Sequence, residues 1–516
     1  MPEQRSRNLA SLAIFACLTS ILLLFHGNRF VPTNDEGIVV ESAQRMLRGA
    51  RLYADFFGYM SPGSYWLQVA TFRIFGVSLW TARLPVILDF SAQCALVFWL
   101  TSRIASRRAA IAALAIFAGF QIADPSVLTS AHRWDSATLA LAGVAVCLSD
   151  LRWRWVLSGA LLGAAAWCTP AIVAVGAAVA LFLIIRRRPN LLPFAGGVAL
   201  ATGGAVAALV WTGSFRGFLE QLAWLRSNYS GVNIMPYGAI IGGYRALFEG
   251  SSGAAEVAVR SILVACVALP AILPVLTVAV IGILRAKEGA DQQLELLTLA
   301  TIAVVATAFP RADVAHLAFV AALPYILATA GLARILPARL GAWLAMAMIL
   351  LACVFGSNFF LSRRTTTAVV SPVGKLHVAS DQADGMTRLL AQVRPESSLF
   401  VYPYMPIQYF ATQARNPSHL SFFSPGMMKD SDAGATLAEL KVHPPEWLLY
   451  MKLSREEFLR VFPHGANLEW HYPTLENWLD ANYEATDPPV SVWGYHLYRR
   501  KASCLDPRPQ TATRLF

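Results

Sequence analysis

The chain has 516 residues, of which 56% are hydrophobic and only 14% charged, and its mean hydropathy is +0.50. A soluble protein of this length would have to leave much of that apolar surface in water, so the composition describes a multi-span membrane protein. The formal net charge of +11 does not call for a nucleic-acid partner, because the basic residues fall in short connections between apolar runs, where topology signals belong.

A membrane-crossing helix needs roughly 20 apolar residues, and by that criterion there are about eleven runs. They lie at 9–25, 84–102, 109–123, 136–149, 155–169, 171–185, 191–212, 260–284, 294–309, 315–333 and 341–361. The runs at 109–123 and 171–185 are short and read as tilted or broken. The first run lacks a small-residue cleavage site and reads as a retained span.

Basic residues alternate between connections. Arg5 and Arg7, Arg103 with Arg107 and Arg108, Arg152 and Arg154, Arg186 to Arg188, Arg285 and Lys287, and Arg334 and Arg339 occupy every second one. The positive-inside rule places these and the N-terminus in the cytoplasm, which suits a bacterial inner membrane. The opposite connections then face out: 27–83, 124–135, 215–259, 310–316 and everything after Ser362. The expected organisation is a membrane core at 1–361 with a first outer loop at 27–83, and an outer-face domain at 362–516.

That tail has more prolines and charges and shorter apolar runs. Helical stretches at Met386–Val393, Ala433–Val442 and Arg455–Phe462 alternate with strand-like Ser398–Tyr402, Trp447–Met451 and Val490–Tyr498, which predicts a small soluble α/β domain tethered to the outer face. The final Asp506–Phe516 reads as disordered. Six of the seven cysteines lie in apolar runs and only Cys504 lies in the tail, so no disulfide framework is implied. No Cys-x-x-Cys metal spacing, Walker loop or dinucleotide fingerprint is present. The Asn228-Tyr229-Ser230 sequon faces out.

Just beyond the first apolar run stands the acidic pair Asp35-Glu36. Thr33-Asn34-Asp35-Glu36 has the form of a capping box, in which Thr33 and Glu36 each satisfy a backbone donor at a helix start. Ile38, Val39, Ser42, Ala43, Met46 and Leu47 recur at helical spacing, predicting an amphipathic helix along the outer membrane surface. Acids at a helix N-terminus are favoured by its dipole, so a purely structural role competes with a chemical one. If Glu36 turns back to cap, Asp35 is the carboxylate left for chemistry.

After the helix come Leu52-Tyr53-Ala54-Asp55, Ser61-Pro62-Gly63-Ser64-Tyr65-Trp66, Phe75-Gly76-Val77-Ser78 and Ala82-Arg83-Leu84-Pro85. This order of acidic pair, helix, Tyr-x-Asp, Pro-Gly-x-Tyr, Phe-Gly-x-Ser and Arg-Leu-Pro resembles the first outer loop of the GT-C glycosyltransferases. The likeness is to the branch of protein O-mannosyltransferases and bacterial aminoarabinose transferases. It is specific over 30–105, looser through the remaining spans, and returns at Phe400–Asn416. Relatives often carry Lys or His just before the Pro-Gly step, where this chain has Met60-Ser61.

The resemblance implies a polyprenyl-phosphate-linked sugar donor, a lipid, glycan or protein acceptor on the outer face, and Asp35 as the base that takes the acceptor proton. An inverting displacement at an anomeric carbon gains from a positioned carboxylate, and cations stabilise the departing phosphate. Glu36 stands beside Asp35 as the second acidic candidate, and Tyr53 and Tyr65 are the motif tyrosines expected to touch substrate.

Further candidates lie in the other outward connections. In His132-Arg133-Trp134-Asp135, Asp135 is a second acid able to orient the acceptor or a divalent metal, Arg133 a phosphate ligand and His132 a substrate contact; the structural alternative is a helix N-terminus with interfacial aromatics. In Pro310–His316, Arg311 and His316 face a phosphate, or Arg311 pairs with Asp313 in a turn. Arg83, at the outer end of the second apolar run, is another phosphate candidate. The stretch Phe218–Arg245 offers Tyr229 and Arg245 as substrate contacts among aromatics that equally anchor membrane interfaces. Asp89, inside a span, requires a polar partner. No organic cofactor is implied, and a divalent metal is the one cofactor left open.

The competing class is a transporter or lipid-carrier flippase. Such proteins place polar sites at broken helices near the membrane midplane and show internal repeats, whereas here the reactive residues collect in outer loops without an evident repeat.

Overall fold

The computed structural model describes residues 2–239, 253–289, 291–462 and 464–502. Arg245 and Asp506–Phe516 lie outside the described residues.

The helical part comprises α1 (Pro2–His26), α2 (Asn34–Leu47), α3 (Pro62–Phe75), α4 (Leu79–Ile104), α5 (Arg107–Gln121), α6 (His132–Cys147), α7 (Arg154–Cys168), α8 (Val173–Arg186), α9 (Leu191–Trp211), α10 (Phe215–Val232), α11 (Ala254–Val267), α12 (Leu269–Glu288), α13 (Gln292–Ala306), α14 (Val314–Phe319), α15 (Ala322–Ile335) and α16 (Ala338–Leu361). Among the described residues five helices are long and apolar enough to cross a membrane: α1, α4, α9, α12 and α16. The apolar run at 260–284 is divided between α11 and α12, and that at 315–333 between α14 and α15. The run at 171–185 begins as a 3-10 turn, Pro170–Ile172, because the proline ring cannot continue α7.

Helix starts follow local chemistry. Ser78 accepts from Thr81 N (3.2 Å) to open α4, and Ser106 accepts from Ala109 N (3.2 Å) to open α5. Small residues set the closest approaches: a Cβ on Gly159 would strike Phe194 O and one on Gly197 would strike Val156 O, so α7 and α9 meet backbone to backbone. At the bundle centre Phe90 stacks on Phe117 (5.9 Å) and meets Trp134 edge-on (5.8 Å), locking α4, α5 and α6 together.

α2 departs from expectation. It does not lie on the membrane surface: Glu36 to Gln44 are all buried, because α2 is pressed between α3 on one side and the outer domain on the other. Gly37 makes that possible, since a Cβ there would run into the Pro406-Ile407 backbone. The Thr33 capping box is also absent. Thr33 Oγ1 instead donates to Thr129 Oγ1 (3.1 Å) and no side chain caps α2.

After α16 the chain forms a hairpin of β1 (Thr366–Ser371) and β2 (Gly374–Ala379), then α17 (Ala383–Gln392), β3 (Leu399–Tyr402), α18 (Ile407–Thr412), α19 (Asp430–Val442), β4 (Trp447–Tyr450), α20 (Arg455–Val461), α21 (Pro473–Asn482), β5 (Tyr483–Ala485), β6 (Ser491–Val492) and β7 (Tyr495–Arg500). The second sheet runs β3-β4-β7-β5 with β6 paired to β7; β3 and β4 are parallel and the other pairs antiparallel. This is an α/β domain, but it is not merely tethered. Val40, Ala43, Val69 and Phe72 of α2 and α3 share one core with Ile407 and Phe410 of α18, and Phe72 stacks on Phe410 at 5.9 Å. The hairpin is stitched to the end of α1 by Phe30 N to His377 O (2.9 Å) and His377 N to Asn28 O (2.7 Å).

Candidate functional site

Three helix N-termini converge at the end of the bundle that faces the outer domain. The start of α2 is tied to the segment leading into α6 by Thr33 to Thr129, and by Ser130 N donating to Glu36 Oε1 (3.4 Å). The first turn of α3, which carries Ser64, packs against the first turn of α6, which carries Asp135. Each N-terminus carries partial positive charge, so their meeting point favours an anion.

The two carboxylates of the acidic pair go separate ways. Glu36 is fully buried and accepts from Arg83 Nη2 at 2.8 Å; Arg83, also fully buried, donates to Leu128 O (3.2 Å) and lies against His26 Nε2. His26 Nε2 is in turn 2.6 Å from Leu128 O. Burial pushes the Glu36 carboxyl up, and the Arg83 charge opposes it. These two residues therefore form an internal ion pair that locks α2 onto α4. Neither Glu36 as a chemical acid nor Arg83 as a phosphate ligand is carried further, because both side chains are spent on each other and sealed from solvent.

Asp35 is half-buried and, among the described residues, makes neither hydrogen bond nor ion pair. Beside it Asn34 Oδ1 accepts from Met405 N (3.4 Å), which brings the loop after β3 over the acid. The Asp35 charge acts on Tyr59, as does Tyr404. Tyr59 is enclosed by Phe422 (4.9 Å), Trp224 (5.9 Å) and Phe57 (6.2 Å), and burial pushes its hydroxyl well up. The Tyr404 hydroxyl is buried without a partner.

Arg133 is 9% exposed and, among the described residues, its guanidinium has neither hydrogen bond nor carboxylate partner. Its charge faces His132 and His316. His132 Nδ1 lies 2.7 Å from Thr169 Oγ1, which fixes the ring at the base of α6. Asp135, one turn deeper, is 7% exposed and its carboxyl meets that of Asp89, the polar partner the sequence required. The acid expected in the outer loop is thus folded inward behind Arg133.

Arg311 has a different fate. Its Nε donates to Asp313 Oδ2 (2.9 Å) and its Nη1 to Asn233 Oδ1 (3.2 Å). Asp313 also caps α14 by accepting from His316 N (2.8 Å) and meets His316 Nδ1 at 2.6 Å. Burial alone would raise the Asp313 carboxyl, but bonds from His316 and Arg311 hold it down to about 2. Of the two sequence readings this is the paired turn, so Arg311 and His316 are committed to Asp313. Beside the turn lies an apolar cavity of about 610 Å³ lined by Ile234, Met235, Tyr237, Val305, Phe309 and Ala312.

Tyr53 and Tyr65 hold the Pro-Gly turn. Tyr53 donates to Met60 O (2.5 Å), Met60 N donates to the Tyr65 hydroxyl (3.1 Å), and both rings are buried. They shape the loop through these bonds. Tyr229 is half-buried on α10 and faces Tyr59. Among the described residues no group of three or more His, Cys, Asp or Glu is placed to hold a metal ion, and the acidic pair supplies none because Glu36 is taken by Arg83.

Sequence reasoning missed His26, Tyr59 and Tyr404. A histidine closing the first span, at the outer mouth, was a readable signal for His26; nothing local marks Tyr404, which reaches the site only through the packing of α18 on α2.

A bundle whose first outer loop forms two helices, capped by an α/β domain packed on that loop, is a GT-C-type fold. The chain aligns over 96% of its length, and 99% of the other chain, with ArnT from Cupriavidus metallidurans bound to undecaprenyl phosphate, at 15% identity and a TM-score of 0.58. The apo state of that protein aligns over the same shares at 14% identity and a TM-score of 0.55. The Archaeoglobus fulgidus oligosaccharyltransferase, solved with Zn and sulfate, aligns over 85% of this chain and 67% of its own at 11% identity and a TM-score of 0.50. At these identities the likeness is one of fold. No family profile matches the chain, and no curated protein matches its sequence.

Proposed function

We propose that the protein is an integral-membrane glycosyltransferase that moves a sugar from a polyprenyl-phosphate-linked donor to a lipid, glycan or protein hydroxyl on the outer face of the membrane. The observation that carries this reading is Asp35. It is a carboxylate with no partner among the described residues, at the start of a helix hydrogen-bonded to the segment that presents the unpaired Arg133.

In this reading the residues divide the work as follows. Asp35 takes the proton of the acceptor hydroxyl as its oxygen attacks the anomeric carbon. The bond from that carbon to the phosphate oxygen breaks with its electron pair passing to the polyprenyl phosphate, and the charge developing there is met by Arg133 and the α3 and α6 N-termini. Tyr59 and Tyr404 border the acceptor side. The apolar cavity beside Phe309 is of a kind to take part of the polyprenyl tail. The fold supports the donor class because a solved neighbour holds undecaprenyl phosphate. In the same reading residues 1–361 form the membrane core and 362–516 the outer-face domain of an inner-membrane protein with its N-terminus in the cytoplasm.

The test is transfer by the purified full-length chain in liposomes from radiolabelled polyprenyl-phosphate sugars to envelope lipid, glycan and protein fractions. Label moving to an acceptor with release of polyprenyl phosphate supports the reading. Transbilayer movement of the intact lipid-linked sugar without cleavage would replace it with the flippase alternative.

A further inference from the structure

At the opposite end of the bundle from Asp35, where α4, α6, α7, α8 and α13 have their far termini, a cavity of about 90 Å³ is lined by Arg103, Arg154, Arg187, Trp155, Gln292 and Gln293 among others. That is several times the volume one water needs. Three guanidinium groups border it and no carboxylate does. Of the acids at the start of α13, Asp291 caps the helix by accepting from Gln293 N (2.8 Å) and lies 4.0 Å from Arg334, and Glu295 is taken by Arg186 (2.7 Å) and Arg285 (3.8 Å).

The arginines are placed by contacts that leave their charge uncompensated. Arg103 lies over Trp99 at 5.6 Å, and its Nε is buried with no hydrogen-bond partner. Arg154 lies over Trp155 at 5.0 Å and donates to Ser149 O (2.8 Å). Arg187 Nη2 donates to Gln292 Oε1 (3.0 Å). Ring faces and amide oxygens orient guanidinium groups without neutralising them. A buried unpaired guanidinium N–H such as that of Arg103 is costly, and a ligand that compensates it while bridging the neighbouring Arg154 and Arg187 forks is a tetrahedral oxyanion.

We propose that this cavity binds a phosphate group, independently of the transfer site. Arginines that serve only as topology signals extend their charge into water, whereas the Arg103 Nε is sealed inside the protein. Basic pockets between membrane helices on the inner side are suited to anionic lipid headgroups, and a free phosphate has the same chemistry.

The full-length protein is stripped of lipid in detergent and re-supplied with phosphatidylglycerol, or separately with inorganic phosphate, and occupancy is read by native mass spectrometry and by ³²P binding. Arg187→Gln changes an exposed side chain and keeps the protein folded; Arg103→Gln is its buried counterpart; Arg108→Gln, exposed at the same end and away from the cavity, is the control. Loss of one charge-assisted contact lowers occupancy about tenfold or more in the Arg187 and Arg103 variants while Arg108→Gln matches wild type. Loss confined to phosphatidylglycerol identifies a headgroup, and loss confined to inorganic phosphate identifies a free anion. Equal occupancy of both probes in wild type and Arg187→Gln overturns the site.

Discussion

The two ends of the helical bundle differ in how many of their arginines meet a carboxylate. At the end facing the outer domain, cations are matched: Arg83 with Glu36, Arg51 with Asp55 (2.7 Å), Arg48 with Glu396 (2.8 Å) and Arg311 with Asp313 (2.9 Å). Arg29, lacking a carboxylate, is held by Phe359 O (2.9 Å) and Ser362 Oγ (2.8 Å). At the far end Arg186 pairs with Glu295 and Arg334 with Glu288, but Arg103, Arg107, Arg108, Arg152, Arg154, Arg187 and Arg188 have no carboxylate partner among the described residues. An unpaired arginine in an exposed connection therefore carries little information, whereas a buried or half-buried charged group left without a partner, at either end, marks a candidate site. At the end facing the C-terminal domain, the Asp35 carboxylate and the Arg133 guanidinium are left with neither hydrogen bond nor ion pair among the described residues.

The largest effect expected from breaking this contrast is structural. Arg83→Ala strands the Glu36 carboxylate in the interior and should cost about 3–5 kcal/mol, seen as a large fall in melting temperature and in recovery of folded protein from membranes. An Arg83→Ala protein as stable as wild type, with weakened donor binding alone, would return Arg83 to the phosphate site. Arg133→Ala should behave in the opposite manner. With no partner to strand, it leaves melting nearly unchanged while lowering transfer by about 10²-fold, the scale for losing a preorganised donor to a developing oxyanion, and Arg133→Lys recovers part of that loss.

Arg311→Ala and Asp313→Asn should each lower stability by about 1–3 kcal/mol, the double variant being little worse than the worse single, while the specific activity of the folded fraction is retained. Activity lost without stability at Arg311 would mark it as a phosphate ligand. The smallest effect is a pH dependence of the same turn. The Asp313 carboxyl sits at about 2, below its ordinary value of 3.8, so its stabilisation is full above about pH 4 and is lost as pH falls towards 2. The gap in melting temperature between wild type and Asp313→Asn should close over that window.

The positions of most helices in residues 1–361 were legible because apolar run length is a local signal. In the outer domain, β3, α19 and β4 fall within a few residues of the stretches read from sequence, since each carries its own periodicity. The β1–β2 hairpin, α18 and α21 were not read: α18 is six residues long and wholly buried, held by its contact with α2 and not by its own pattern. The strand read across Val490–Tyr498 is β6 and β7 joined by a turn at Trp493-Gly494, where both residues have positive φ. At the candidate site, sequence chose Asp35 over Glu36 as the base through the resemblance, but could not separate Arg133 from Arg83 and Arg311. What distinguishes the two sets is whether a partner from another element reaches the side chain, which no local spacing records.

The most direct test compares Asp35→Asn with Glu36→Gln in one transfer assay, each rate divided by the amount of folded protein. The account predicts that Asp35→Asn folds as wild type and loses at least ~100-fold in transfer, whereas Glu36→Gln loses folded protein and keeps most of its specific activity. Near-wild-type turnover by Asp35→Asn, or a specific loss confined to Glu36→Gln, would contradict it.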